Sequence, residues 1–197
     1  LDPSATQVSA TTTLHHNPES GLHDLILYGE ALELVRVVMN GKTLDKQDYI
    51  LENGNLRIPG APDDVTLTID TLIHPDKNTS LMGLYLSNGN FFTQCEAEGF
   101  RKITYYPDRP DVMATYTVTI KADRQSCPVL LSNGNLVETG ELPDGRHYAK
   151  WDDPFRKPSY LFALVAGKLV CREETFRLAD GRYVLLQVWV EQGNLDK

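Results

Sequence analysis

Apolar and polar residues alternate with a period of two along much of this chain. Val65, Leu67 and Ile69 are separated by threonines, and so are Ala114, Tyr116, Val118 and Ile120. Successive side chains of an extended segment point to opposite faces, so each run predicts a strand with one buried face. Leu34 to Val38 and Val184 to Val190 read the same way, with β-branched and aromatic residues outnumbering good helix formers. No segment of about a dozen residues repeats apolar positions at helical spacing between convincing caps, apart from a single turn near Arg109 to Met113.

The turn chemistry agrees with hairpins. Asn-Gly occurs at Asn40-Gly41, Asn53-Gly54, Asn88-Gly89 and Asn133-Gly134, and Asp-Gly at Asp144-Gly145 and Asp180-Gly181. Both residues of such pairs tolerate the positive φ of a tight two-residue turn. The chain is therefore expected to be all-β, with roughly a dozen short, mostly antiparallel strands in saddle-shaped or sandwich-like sheets around one core. No linker rich in Pro, Gly or Ser divides it, so residues 1–197 are read as one domain.

Composition narrows the function. The 197 residues are 41% hydrophobic and 23% charged, and a chain of this size buries roughly 70% of its unfolded surface. The formal charge of -8 supplies no positive field for phosphate, which argues against nucleic acid and anionic membranes as partners. The longest apolar run, Leu161 to Ala166, is far short of the roughly 20 residues that span a bilayer. Cys95, Cys127 and Cys171 are odd in number and widely spaced, which favours a reduced, cytoplasmic setting. The alternation from Ala5 to Leu14 starts as though in mid-domain, and the strong strand before Glu191 is followed only by EQGNLDK, so further chain is expected beyond Lys197.

Common catalytic signatures are missing. The five histidines, His15, His16, His23, His74 and His147, form no H-E-x-x-H or other zinc motif, and His15 and His16 would point to opposite faces of a strand. There is no G-x-S-x-G, no G-x-G-x-x-G and no Walker loop. Trp151, with Asp152, Asp153 and Phe155, has the residue types of a sugar platform, but an aromatic in a β-protein is more often core, and it is read as packing. TQCEAEGF, residues 93–100, stands out because it sets two carboxylates, an amide and a thiol within five positions. If it is extended, Gln94, Glu96 and Glu98 share one face. Such a row is either a solvated edge or a site for a cation such as a protonated amine.

Four blocks, in order, are similar to one family. They are SLMGLYLSNGN at 80–90, TQCEAEGFRKITYYPDRPDVMATYTVTIKAD at 93–123, PVLLSNGN at 128–135 and WDDPFRKPSYLFALVAGKL at 151–169. Together they resemble the amino-terminal domain of the bacterial aminopeptidase N family, zinc-dependent enzymes of the gluzincin class. The resemblance implies a β-saddle domain packed on its own downstream catalytic domain, closing one side of the active-site cavity. It implies that Glu96 contacts the free α-amine of a peptide substrate, that Gln94 lines the pocket for the first side chain, and that the Glu96–Ala97 peptide is cis. Zinc, its ligands and the general base would lie beyond Lys197, so these residues alone are expected to be inactive. The rival expectation, of a different class, is a stand-alone β-sandwich module that binds a protein or a carbohydrate. An exposed apolar surface would favour the first, a solvent-facing aromatic platform the second.

Overall fold

The computed structural model describes residues 1–21 and 24–195. Among these are sixteen β-strands and four three-residue 3-10 turns, with no α-helix. The strands form five sheets, and every ladder within them is antiparallel. The all-β expectation is met.

The first sheet has the order β1 (Thr6–His15), β7 (Asp64–Ile73), β3 (Glu33–Met39), β4 (Lys42–Thr43). β1 and β7 pair over ten residues, from Thr6 opposite Ile73 to His15 opposite Asp64. Val65, Leu67 and Ile69 are all buried, so the period-two reading of β7 holds. β2 (Leu25–Leu27), β6 (Asn55–Ile58) and β5 (Ile50–Glu52) form a small sheet whose Leu27, Leu56 and Ile58 join Val37, Leu67 and Tyr105 in one core. In β3 the register slips between Leu34 and Arg36, and Val35 is 66% exposed while Val37 is 1% exposed. The bulge inserts one residue, so the core positions of β3 fall three apart instead of two.

A second core lies under two further sheets. One has the order β11 (Val129–Ser132), β14 (Leu164–Gly167), β9 (Asn90–Gln94), β8 (Gly83–Ser87). The other has the order β10 (Ala114–Asp123), β13 (Arg146–Lys157), β12 (Asn135–Glu141). Phe91, Phe100, Ile120, Leu130 and Ala166 are among the residues buried between them, and Leu32 packs against both cores. The single core expected from sequence is thus two clusters that meet.

Three Asn-Gly pairs make the predicted turns. Asn40-Gly41, Asn53-Gly54 and Asn88-Gly89 have positive φ at both residues and join β3 to β4, β5 to β6 and β8 to β9. Asn133-Gly134 does not close a hairpin, because β11 and β12 lie in different sheets. There the Asn133 side chain accepts from Ala163 N at 2.6 Å and donates to Leu161 O at 3.1 Å, tying the crossing point to the loop before β14. β15 (Leu169–Arg177) and β16 (Tyr183–Glu191) form a two-stranded ribbon. Val184 to Val190 is the strand that the alternation predicts, but most of it is open on both faces: Phe176, Tyr183, Leu185, Leu186 and Val188 are exposed.

Candidate functional site

β9 carries the unusual stretch to the edge of the second core. Thr93 fixes it sideways, its hydroxyl donating to Leu164 O and accepting from Leu164 N, and Asn90 accepts from Lys168 N at 2.9 Å and donates to Glu191 at 2.9 Å. Cys95 follows, 2% exposed. Burial, with a smaller effect of the nearby Asp108 carboxylate, pushes its thiol up to about 12, so it packs as an apolar group and does not act as a nucleophile.

The chain then turns. β9 ends at Gln94, and residues 96–99 form a turn that leads into the 3-10 segment Phe100–Lys102. The extended row of Gln94, Glu96 and Glu98 is therefore not formed. Gly99 permits the turn, since a Cβ there would lie 2.2 Å from Gln94 O and 2.9 Å from Gly83 N, and its amide donates to Cys95 O at 2.7 Å. Phe100 anchors the far side in edge-on contacts with Tyr106 and Phe162, at centroid distances of 5.1 and 5.2 Å. The Glu96–Ala97 peptide is cis.

All three polar residues are exposed, but their contacts differ. Gln94 donates from Nε2 to Glu96 O at 3.1 Å. Glu98 lies 3.2 Å from Arg101 Nη2. The Glu96 carboxylate pairs with no side chain among the described residues. The next acid along the chain, Asp108, is buried and accepts from Arg101 Nε at 3.0 Å, from Arg101 N at 3.2 Å and from the Ser159 hydroxyl. Sequence reasoning missed Arg101, Asp108 and Ser159. The three-residue spacing of Glu98 and Arg101 was the available signal for the first; nothing local announces the others.

The four described histidines each bond to separate partners. His15 meets Asp64 at 2.6 Å, His16 meets Asp63 at 3.2 Å, and His74 meets Glu33 at 2.7 Å. His147 is buried and bonds through Nε2 to Cys127 O at 2.7 Å. His23 lies outside the described residues. Among the described residues no group of three His, Cys, Asp or Glu side chains could hold a metal ion. The resemblance places the zinc and its ligands beyond Lys197, and no chemical step on this chain is derived through it.

Trp151 is partly buried against the second core and donates to Leu130 O at 3.1 Å, while Asp152 accepts from Thr117 and Asp153 pairs with Lys157. Only Phe155 of that group stands out into solvent, 76% exposed, so these residues assemble no aromatic platform. A groove of about 1300 Å³ runs between the outer edges of β1 and β10 and is lined by neither Gln94 nor Glu96. No helix among the described residues is long and apolar enough to cross a membrane.

The sheets and the turn define an all-β domain in which the Glu96 carboxylate, uncommitted among the described residues, stands beside the Gln94 amide. Residues 1–161 match the peptidase M1 N-terminal domain, and the chain belongs to that family. It is 48% identical over 197 residues to aminopeptidase N of Caulobacter vibrioides, covering all of this chain and 23% of that protein. It is also 48% identical to aminopeptidase N of Escherichia coli, covering all of this chain and 22% of that protein. Among solved structures, Legionella pneumophila aminopeptidase A in complex with aspartic acid superposes with a TM-score of 0.93 at 39% identity, over 97% of this chain and 23% of that one. An M1 zinc metallopeptidase of Deinococcus radiodurans, 16% identical with a TM-score of 0.78 over 96% of this chain and 44% of that one, shares the fold. The chain thus spans under a quarter of the length of the curated relatives it matches.

Proposed function

We propose that residues 1–197 form the amino-terminal, substrate-facing domain of a zinc-dependent aminopeptidase that releases single amino-terminal residues from peptides. Glu96 grips the substrate's free α-amine, and Gln94 lines the pocket for its first side chain. Zinc, its ligands and the general base belong to a catalytic domain outside this chain. The observation that carries this reading is the fate of the acids around the turn: Glu98 and Asp108 are engaged by Arg101, and Glu96 is exposed and, among the described residues, unpaired.

The chemistry suits an exopeptidase. An α-amine has an ordinary pKa of about 7.7 to 8.0, so it is largely protonated at neutral pH, when a glutamate is ionised. A charge-assisted hydrogen bond between them contributes about 1.5 to 3 kcal/mol and sets the register of the peptide from its first atom. The open apolar ribbon of β15 and β16 supports a domain interface, and the absence of an assembled aromatic platform among the described residues weighs against a carbohydrate module. The three free cysteines accord with a cytoplasmic enzyme.

The test is Glu96→Gln in the whole enzyme. The interaction energy above predicts a loss of about 10- to 150-fold in kcat/KM, with zinc content unchanged. Near-parental kcat/KM on free-amine peptides refutes the assignment.

A further inference from the structure

Arg101 sits where it could spoil the proposed site. It reaches Glu98 at 3.2 Å through Nη2, and Glu98 is two residues from Glu96. Their Cα atoms are therefore no more than about 7 Å apart, within the swing of one arginine side chain. A guanidinium free to make that swing would pair with Glu96 and compete with any substrate ammonium.

It is not free. Arg101 donates from Nε to Asp108 at 3.0 Å and from Nη2 to the Asp108 carbonyl at 2.9 Å, and its guanidinium lies 4.8 Å from the ring centre of Tyr28. The Asp108 side chain is 1% exposed and is itself fixed by the Ser159 hydroxyl and the Arg101 amide. A charged hydrogen bond to a fully enclosed carboxylate is strong and directional. Glu98, 68% exposed, adds only a weak surface contact. Asp108 is therefore the principal hold on Arg101, and with it the Glu98–Arg101–Asp108 group carries one net negative charge.

We propose that Asp108 is a positioning residue for amine recognition: by holding Arg101 it keeps that cation off Glu96 and leaves the Glu96 carboxylate to the substrate. This rests on the role proposed above for Glu96. Replacing Asp108 by asparagine keeps the shape, removes the buried charge, makes the group neutral and loosens the principal hold on its cation, leaving only the backbone carbonyl, Tyr28 and weak Glu98 contacts. Replacing Arg101 by methionine at the same time restores one net negative charge beside Glu96. A bracing role alone is told apart by salt, because damage from a broken buried pair is screened little and its KM rise would persist at high ionic strength.

The experiment measures KM and kcat of the whole zinc-loaded enzyme on one free-amine peptide. Asp108→Asn is expected to raise KM about tenfold with kcat within about twofold, the rise shrinking in high salt as exposed charges are screened. Zinc content should not change. The double variant Arg101→Met/Asp108→Asn is expected to return KM to within about threefold of the parent, the residue of unequal packing. A parental KM for Asp108→Asn, or a double variant no better than it, overturns the proposal. Should Asp108→Asn not fold, Ser159→Ala, which removes the hydroxyl that fixes the Asp108 carboxylate, takes its place: KM should rise and the rise should vanish when Arg101→Met is added, and a parental KM or a rise that Arg101→Met does not reverse overturns the idea. Glu96→Gln in the same series separates the two claims. Near-parental kinetics there remove the Glu96 reading and this one with it, whereas an impaired Glu96→Gln beside a parental Asp108→Asn removes only the role of Asp108.

Discussion

Gly99→Ala isolates the packing that shapes the turn. Gly99 has φ of -83°, which any residue adopts, so alanine adds no backbone strain at this position. What it adds is a methyl group 2.2 Å from Gln94 O and 2.9 Å from both Cys95 Cα and Gly83 N. All three obstacles are backbone atoms, held by the β8–β9 ladder that pairs Gly83 with Gln94. The turn or the ladder has to move by about 1 Å, and overpacking of this kind costs about 1 to 3 kcal/mol. That energy, taken from local stability, corresponds to about 5- to 150-fold faster amide exchange. The change should be concentrated in residues 83–102, including the Gly99-to-Cys95 amide bond that closes the turn. The assay is hydrogen exchange by mass spectrometry on the whole protein, with KM for a free-amine peptide measured beside it. Because Glu96 sits on the same turn, KM should rise as exchange accelerates. Exchange and KM both within about twofold of the parent would refute the argument that this close approach sets the turn, since that cost cannot be hidden at so small a change.

Two further predictions test other parts of the structure. Val37→Ala, at a site 1% exposed, should destabilise by about 2 to 3 kcal/mol, whereas Val35→Ala, on the outside of the bulge, should stay within about 0.5 kcal/mol; thermal unfolding that ranks them the other way contradicts the register of β3. The hydrogen bond from His74 to Glu33, aided by the Ser4 carbonyl, holds the His74 pKa above its ordinary value near 6.5. The stabilisation from this pairing is then complete below the unfolded pKa and fades as pH rises through the raised folded one. Glu33→Gln should bring the imidazole back toward its ordinary value in an NMR titration, and an unmoved titration would show that Glu33 is not the cause.

The strands were legible because period two is a local property: each of Val65, Leu67 and Ile69 declares its face through its immediate neighbours. The hairpins at Asn40, Asn53 and Asn88 were legible for the same reason, as turn type depends on two residues. What failed was whatever depended on the other side of the contact. Val35 and Val37, which strict alternation places on one face, are parted because a bulge forms against β7, and Asn133-Gly134, identical in sequence to the true turns, carries the chain between sheets. The ribbon of β15 and β16 alternates like a half-buried pair although little of this chain covers it.

The acids around Glu96 show the limit most clearly. From spacing, Glu96 and Glu98 are equivalent members of one row, and Asp108 does not belong to it. In the structure the division falls elsewhere, since Glu98 and Asp108 are joined by Arg101 and Glu96 stands apart. The contacts that create this division come from far along the chain: Tyr28 lies against the Arg101 guanidinium, and Ser159 holds the Asp108 carboxylate. An uncommitted charge is therefore not a property of the residue that bears it, but of the distant groups that have already satisfied every competing cation near it. A carboxylate can be assigned to an external amine only after those groups are known, and here they are supplied by segments separated in sequence and brought together by the two adjoining cores.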